Sequence, residues 1–193
     1  MSLFQHLSKY QIVLASQSPR RIQFLKDLGL QFTVQPTQVD ESFDNQLQGS
    51  EITDFLCQLK ANAFRFESDD QLVITCDTIV WNNGKALNKP SDFNEAFDMI
   101  ASLRNKTHQV ISSIFIKTKD KTHVLNDTTT VTFSNLTDEE ITYYINTYQP
   151  YDKAGAYGIQ EWIGLIGIEK IEGSYTNVVG MPMEKLYHAL KQF

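Results

Sequence analysis

Ile12-Val13-Leu14-Ala15-Ser16-Gln17-Ser18-Pro19-Arg20-Arg21 opens as an apolar strand, breaks into a hydroxyl-bearing turn and restarts as a helix with two arginines in its first turn. Ser18 suits the N-cap, and Pro19 suits the first helical position, where a missing N–H costs nothing. Ile22, Phe24, Leu25 and Leu28 then give a helical apolar face, and Gly29 a C-terminal stop. The same turn gathers free backbone N–H groups, the Ser16 and Ser18 hydroxyls and the Arg20 and Arg21 guanidinium forks at one helix N-terminus. That is an anion site, and phosphate suits it. Arginines in a first turn oppose the helix dipole, so a sequence shaped only for stability would favour Asp or Glu there. An arginine pair alone reads equally well as two solvated charges; the Ser-x-Ser-Pro turn before it favours binding.

Downstream, a short strand is expected near residues 31–35, followed by a polar, irregular stretch over 36–49 that holds Asp40 and Glu41. A helix over 51–66, capped by Ser50, would carry Ile52, Phe55, Leu56, Leu59 and Ala63 on one face. Residues 72–76 read as a buried strand ending at Asp77. Residues 79–81, the turn Asn82-Asn83-Gly84 and residues 85–87 read as a hairpin. Ser91 is the expected cap of a helix with Phe93, Ala96, Phe97, Ile100 and Leu103 as its stripe. Residues 109–117 and 122–133 alternate like paired antiparallel strands, and Thr137 with Glu140 forms a capping box for a helix reaching about Tyr148. A glycine-rich region with further strand character follows, and Pro182 opens a final helix. Helices alternating with strands, with hairpins among them, predict an α/β protein with a mixed sheet. No linker is visible, so residues 1–193 read as a single domain.

The net charge of −6 offers no general attraction to nucleic acid or to anionic membrane, although a local basic site in an acidic protein can still focus a small polyanion. The two cysteines, Cys57 and Cys76, fall in a predicted helix and a predicted buried strand and read as small core residues, not as a disulfide framework. No apolar run approaches the ~20 residues of a membrane span. Met1 to Tyr10 lacks an apolar signal core, which makes the cytoplasm the expected location.

Asp77 is the sharpest single residue. It stands where an apolar run stops, and a carboxylate there can hold a divalent metal or take a proton from water; the plainer reading is a turn hydrogen bond. Asp40 and Glu41 alone would be solvated loop acids, and Lys60 and Lys89 alone would be surface lysines. Pro90 does force Lys89 into extended backbone. Gln160, in Tyr157-Gly158-Ile159-Gln160, offers a donor and an acceptor and so can read a base edge. The histidines, His6, His108, His123 and His188, are scattered without zinc spacing. No G-x-x-x-x-G-K-[ST] loop, dinucleotide glycine fingerprint or G-x-S-x-G elbow occurs, so Ser16 and Ser18 read as phosphate donors and not as nucleophiles.

Ser16-Gln17-Ser18-Pro19-Arg20-Arg21, Cys76-Asp77-Thr78, Asn88-Lys89-Pro90, Thr107-His108-Gln109-Val110, Asp152 through Gln160, Ile171-Glu172-Gly173-Ser174-Tyr175 and Asn177 through Pro182 stand in the order of the Maf family of nucleoside triphosphate pyrophosphatases, which the chain resembles from residue 11 to 187. The resemblance implies an elongated mixed sheet flanked by helices, two lobes with a central cleft, and a homodimer. It implies hydrolysis to the monophosphate and pyrophosphate, with Asp77 as general base. Glu41 and Asp77 would hold Mg²⁺ or Mn²⁺, and Ser16, Ser18, Arg20, Arg21, Lys60 and Lys89 would bind phosphate. Arg20, Thr78 and Gln160 match the positions tied to substrate choice, in the set carried by the dTTP/UTP branch. The alternatives are the same reaction on a modified guanine nucleotide such as 7-methyl-GTP, or a non-catalytic nucleotide-sensing regulator of septum formation; a DNA-binding role is poorly served by the charge. Cys76, where a smaller residue is expected, and Glu161-Trp162-Ile163 after Gln160 depart from the family pattern, the latter at the base pocket.

Overall fold

In the computed structural model, which describes residues 4–193, β1 (Gln11–Leu14) runs through residues 15–18 into α1 (Pro19–Asp27) as the opening stretch predicts. Residues 1–3, part of the N-terminal stretch read for a signal core, lie outside the described residues. Pro19 takes the first helical position, but the Ser18 hydroxyl makes no cap bond. Its N–H instead donates to Ser16 Oγ at 3.2 Å, so the turn is closed by its own first hydroxyl. Gly29 has φ +78°, a left-handed stop that a side chain would strain.

β1 pairs in parallel with both β2 (Thr33–Val34) and β3 (Gln71–Asn82), and β3 turns back antiparallel onto β4 (Lys85–Leu87). Asn83 and Gly84 both have positive φ, the geometry of a two-residue hairpin turn that keeps the strand twist. With β5 (Thr107–Lys117), β6 (Thr122–Phe133) and β7 (Ile168–Glu172), the strand order is β2-β1-β3-β5-β6-β7, with β4 on β3. β6 and β7 pair antiparallel. The fold is therefore α/β with a mixed seven-stranded sheet, as expected.

Several elements depart from the sequence expectation. β3 does not end at Asp77 but runs through it for five more residues. α2 (Ser50–Ala63) begins one residue early after Gly49 and stops at Phe64, whose backbone is extended. Its buried face is Ile52, Thr53, Leu56, Cys57, Lys60 and Ala61, while Phe55 is exposed. The cap of α3 (Phe93–Leu103) is Asp92, which accepts from Glu95 N at 2.9 Å; Ser91 is held one residue further out by the Glu95 carboxylate. The capping box of α4 (Asp138–Tyr148) has both its halves, Thr137 and Glu140. Two short helices, α5 (Trp162–Gly167) and α6 (Tyr175–Val179), precede α7 (Met183–Leu190). No helix among the described residues is long and apolar enough to cross a membrane.

The contacts divide into two compact units. The first comprises the described residues of Met1–Asp77 with Ser112–Asp127 and Gly180–Phe193, and its core joins Leu14, Leu25, Leu72, Ile74, Ile114 and Leu186. The second comprises Thr78–Ile111 and Thr128–Val179, with Ile100, Leu103, Phe133, Ile141 and Tyr144 at its centre.

His108, in the second unit, is buried edge-on to Phe133 and Tyr157, with Nε2 2.8 Å from the Tyr157 hydroxyl. Burial lowers its pKa from 6.5 to about 4 and raises that of Tyr157. Between those two pH values the unfolded chain binds a proton that the folded one refuses, so this residue's contribution is complete above pH 6.5 and is lost as pH falls toward 4. The loss amounts to about 3 kcal/mol. Urea unfolding at pH 7 and pH 4.5 should therefore show a steeper acid loss for the wild type than for His108→Gln; equal slopes would remove His108 from the acid limb.

Candidate active site

Asp77 lies inside a strand with 8 % of its surface exposed, where an unpaired carboxylate would cost several kcal/mol. Lys60 supplies the pair. Its ammonium donates to Asp77 Oδ2 and stands 2.9 Å from Glu41 Oε1. α2 delivers it because Thr53, Cys57 and Lys60 follow one another at helical spacing on the face turned inward. Burial alone would lower the Lys60 pKa, but Asp77 and then Glu41 more than offset it and carry it above the ordinary value. Lys60 is thus a fixed ammonium. Glu41 comes from the irregular stretch and keeps half its side chain in solvent. Asp40 next to it accepts the Ser42 N–H at 2.9 Å, the turn role that its residue type predicts.

Arg21 makes contacts within the protein that the sequence did not indicate. Its Nε donates to Gly180 O at 3.0 Å, and Nη1 to Cys76 O at 2.6 Å and to Ser16 Oγ at 3.3 Å. The guanidinium therefore ties the end of β1, the residue before Asp77 and the segment leading into α7. Burial lowers its pKa, and the acidic groups nearby, Cys76 and Asp77 first, reverse this and raise it overall. The fork also places a permanent positive charge beside Asp77. Cys76 Sγ donates to the same Gly180 carbonyl at 3.3 Å, a second tie to that segment. Burial, followed by the neighbouring Cys76 and Asp77, raises the Cys57 thiol well above its usual range, leaving it protonated and inert.

The first unit accordingly brings Ser16, Arg21, Glu41, Lys60 and Asp77 together. Ser18 and Arg20 stand at the start of α1 beside them in sequence. The Glu41 and Asp77 carboxylates converge on a single cation, here the Lys60 ammonium, which shows that the pair can share one positive centre. No group of three or more His, Cys, Asp or Glu among the described residues is placed to hold a metal. Two hard carboxylates without a protein cage suit Mg²⁺ or Mn²⁺, which take most of their remaining ligands from water and phosphate, and do not suit zinc.

Thr78, Lys89 and Gln160 belong to the second unit. Thr78 follows Asp77 on β3, half-buried; Lys89 is exposed after β4. Gln160 is exposed at the wall of an open cavity of about 440 Å³ that Ile159, Leu165, Ile171 and Tyr175 also line. Its neighbour Glu161 is tied down: one oxygen accepts from the Tyr144 hydroxyl at 2.5 Å and the other lies 3.1 Å from buried Lys153. A Cβ at Gly158 would stand 2.9 Å from the Gln160 amide nitrogen and from the Glu161 carboxyl carbon, so those side-chain ends would have to shift to admit one.

Sequence reasoning missed the hydroxyls beneath α2. Thr53 Oγ1 meets Ser113 Oγ at 2.6 Å, Ser113 Oγ donates to Asp54 at 2.6 Å, and the Thr75 hydroxyl donates to Cys57 O at 2.8 Å. The helical spacing of Thr53 and Cys57 ahead of Lys60 was the one available signal.

The profile of the family described as Maf-like protein matches residues 11–193. A protein of Flavobacterium johnsoniae named dTTP/UTP pyrophosphatase is 52% identical over 189 residues, 97% of either chain. One of the same name from Flavobacterium psychrophilum is 55% identical over 177 residues, 91% of either chain. Another, from Bacteroides fragilis, is 46% identical over 192 residues, covering 98% of this chain and all of its own. With relatedness of that depth running from β1 to the last residue, the chain belongs to the Maf family.

Proposed function

We propose that the protein hydrolyses dTTP and UTP to the nucleoside monophosphate and pyrophosphate. The observation that carries this reading is the buried carboxylate of Asp77, held in mid-strand by Lys60 and Glu41 and flanked by the Arg21 guanidinium. The names borne by the relatives from Flavobacterium and Bacteroides support the choice of substrate.

In the proposed reaction, water attacks the α-phosphorus, the new bond forms to that water's oxygen, and the bond from the α-phosphorus to the bridging oxygen breaks. Pyrophosphate leaves with the bridging oxygen. Asp77 takes the proton of the attacking water, and the Lys60 ammonium fixes the orientation of its carboxylate. Ser16 and Ser18 at the start of α1 donate hydrogen bonds to the phosphates, Arg20, Lys60 and Lys89 neutralise their charge, and Arg21 adds its field while holding the framework. Mg²⁺ or Mn²⁺ on Glu41 and Asp77 would supply Lewis-acid polarisation of the phosphoryl group. Thr78 and Gln160 select the base, with Arg20. The enzyme is further proposed to act as a cytoplasmic homodimer and as a single domain.

Incubation with dTTP or UTP and Mg²⁺ should release pyrophosphate and the monophosphate in equal amounts. Orthophosphate as the first product would overturn the assignment, and turnover of 7-methyl-GTP in preference to both pyrimidines would overturn the substrate.

A further inference from the structure

α2 lies on the sheet through polar ties as well as through apolar contact. Cys57, one turn before Lys60, carries two of them: its thiol donates to Ser113 O at 3.0 Å and its carbonyl accepts the Thr75 hydroxyl at 2.8 Å. One turn earlier, Thr53 and Asp54 are bound by Ser113, and Asn126 donates to both Asp54 oxygens at 3.0 and 3.3 Å. Thr75 is fully buried and stands two residues before Asp77, so the two side chains project from the same face of β3. One strand face therefore presents both the carboxylate that Lys60 meets and the hydroxyl that grips the helix bearing Lys60.

An aliphatic contact at this point would tolerate a helix slide of a few tenths of an ångström, because dispersion is non-directional and each atom pair contributes only ~0.1–0.2 kcal/mol. A hydrogen bond does not tolerate it, since its strength falls steeply with distance and angle. The Cys57 carbonyl lies within α2, where the helix supplies its own partner four residues on, so the Thr75 bond is an addition and not a rescue of an orphaned group. A fully buried hydroxyl spent on a carbonyl that already has a partner contributes little that the helix needs for its own stability, and is better accounted for by position.

We propose that Thr75 is a positioning residue for the reaction: by gripping α2 at Cys57 it sets the Lys60 ammonium against Asp77. The inference rests on the catalytic reading of Asp77 and Lys60, and it adds a residue that makes no contact with substrate.

The test is a double-mutant cycle. Thr75→Val keeps the shape and removes the hydroxyl, and Thr75→Ser keeps the hydroxyl; Thr75→Ala serves as a second hydroxyl-free variant should Val fail to fold. Thr75→Val should lower kcat for dTTP about tenfold with KM changed less than twofold, and Thr75→Ser should restore at least half the activity. In a Lys60→Met background, already slow, Thr75→Val should cost nothing further. A tenfold loss repeated in that background, or a Ser variant as slow as Val, would overturn the proposal. Substrate-free protein gives a second readout: the ¹⁵Nζ ammonium signal of Lys60, protected from exchange in the wild type and Thr75→Ser, should broaden in Thr75→Val. An unchanged signal there would also overturn it. Absence of dTTP turnover by the wild type, or full activity of Lys60→Met, would instead sink the catalytic reading and leave the ammonium measurement to decide the role of Thr75.

Discussion

Asp77→Asn should lower kcat for dTTP roughly 10²–10⁴-fold, the scale expected when a positioned base is removed, while equilibrium binding of a non-hydrolysable triphosphate analogue weakens far less. Asparagine has the shape of aspartate and keeps an oxygen toward which Lys60 can donate, so β3 and α2 should stay in place. What it lacks is the basicity to take a proton from water and the second negative charge facing the ammonium. Lys60 would retain Glu41 at 2.9 Å, which limits the stability lost when one member of a buried pair is neutralised. The comparison with Lys60→Met separates the two roles. Removing the ammonium leaves Asp77 buried without its nearest countercharge and should lower both stability and rate, whereas Asp77→Asn should lower the rate far more than the stability. Pyrophosphate release followed by a coupled assay, together with thermal melting of each variant, decides the matter. Wild-type kcat in Asp77→Asn would remove the residue from the chemistry altogether.

Asp77 also shows how far the sequence could be read. It was legible as a candidate because a charge interrupts an apolar run, but for the same reason the strand was expected to stop there. The strand continues because Thr78, Ile79, Val80 and Trp81 are good strand formers and because Lys60, 17 residues earlier, cancels the cost of burying the carboxylate. No local pattern carries that compensation. α2 misled in a related way: Phe55 and Ala63 extended an apolar stripe, yet the sheet-facing arc is taken by Thr53, Cys57 and Lys60, whose partners lie on β3 and β5. By contrast β1–α1, the Asn83-Gly84 hairpin and the Thr137–Glu140 box are local devices, and each formed where it was expected. Asp92 displaced Ser91 as a cap because both residue types qualify, and only Asp92 stands three residues before the Glu95 N–H that it accepts. α5 and α6, of six and five residues, are too short to show a periodic face.

Arg21 is where the residue type was legible and the contact was not, and it carries the second large effect. Arg21→Lys should cost about 2–4 kcal/mol of stability: two hydrogen bonds from a charged donor to main-chain carbonyls are lost, each contributing roughly 1.5–3 kcal/mol, and the lysine ammonium recovers part of one of them. Lysine keeps the charge but has a single ammonium on a flexible stem, so it cannot span Cys76 O and Gly180 O as the fork does at 2.6 and 3.0 Å. The buried Gly180 carbonyl would lose its charged donor, leaving the weak Cys76 thiol donor at 3.3 Å. In thermal melts the loss corresponds to a fall of roughly 5–15 °C for a chain of this size, and hydrogen exchange should quicken first in the segment from Gly180 into α7, which Arg21 ties to β1 and β3. Activity should fall too, because the carbonyl of Cys76 is the last fixed point before Asp77. A residue acting only as a phosphate clamp would behave in the opposite manner: charge-conserving lysine would leave the melt unchanged and raise KM. An unaltered melting curve for Arg21→Lys would therefore return Arg21 to the substrate and deny it the framework role that its bonds to Ser16, Cys76 and Gly180 describe.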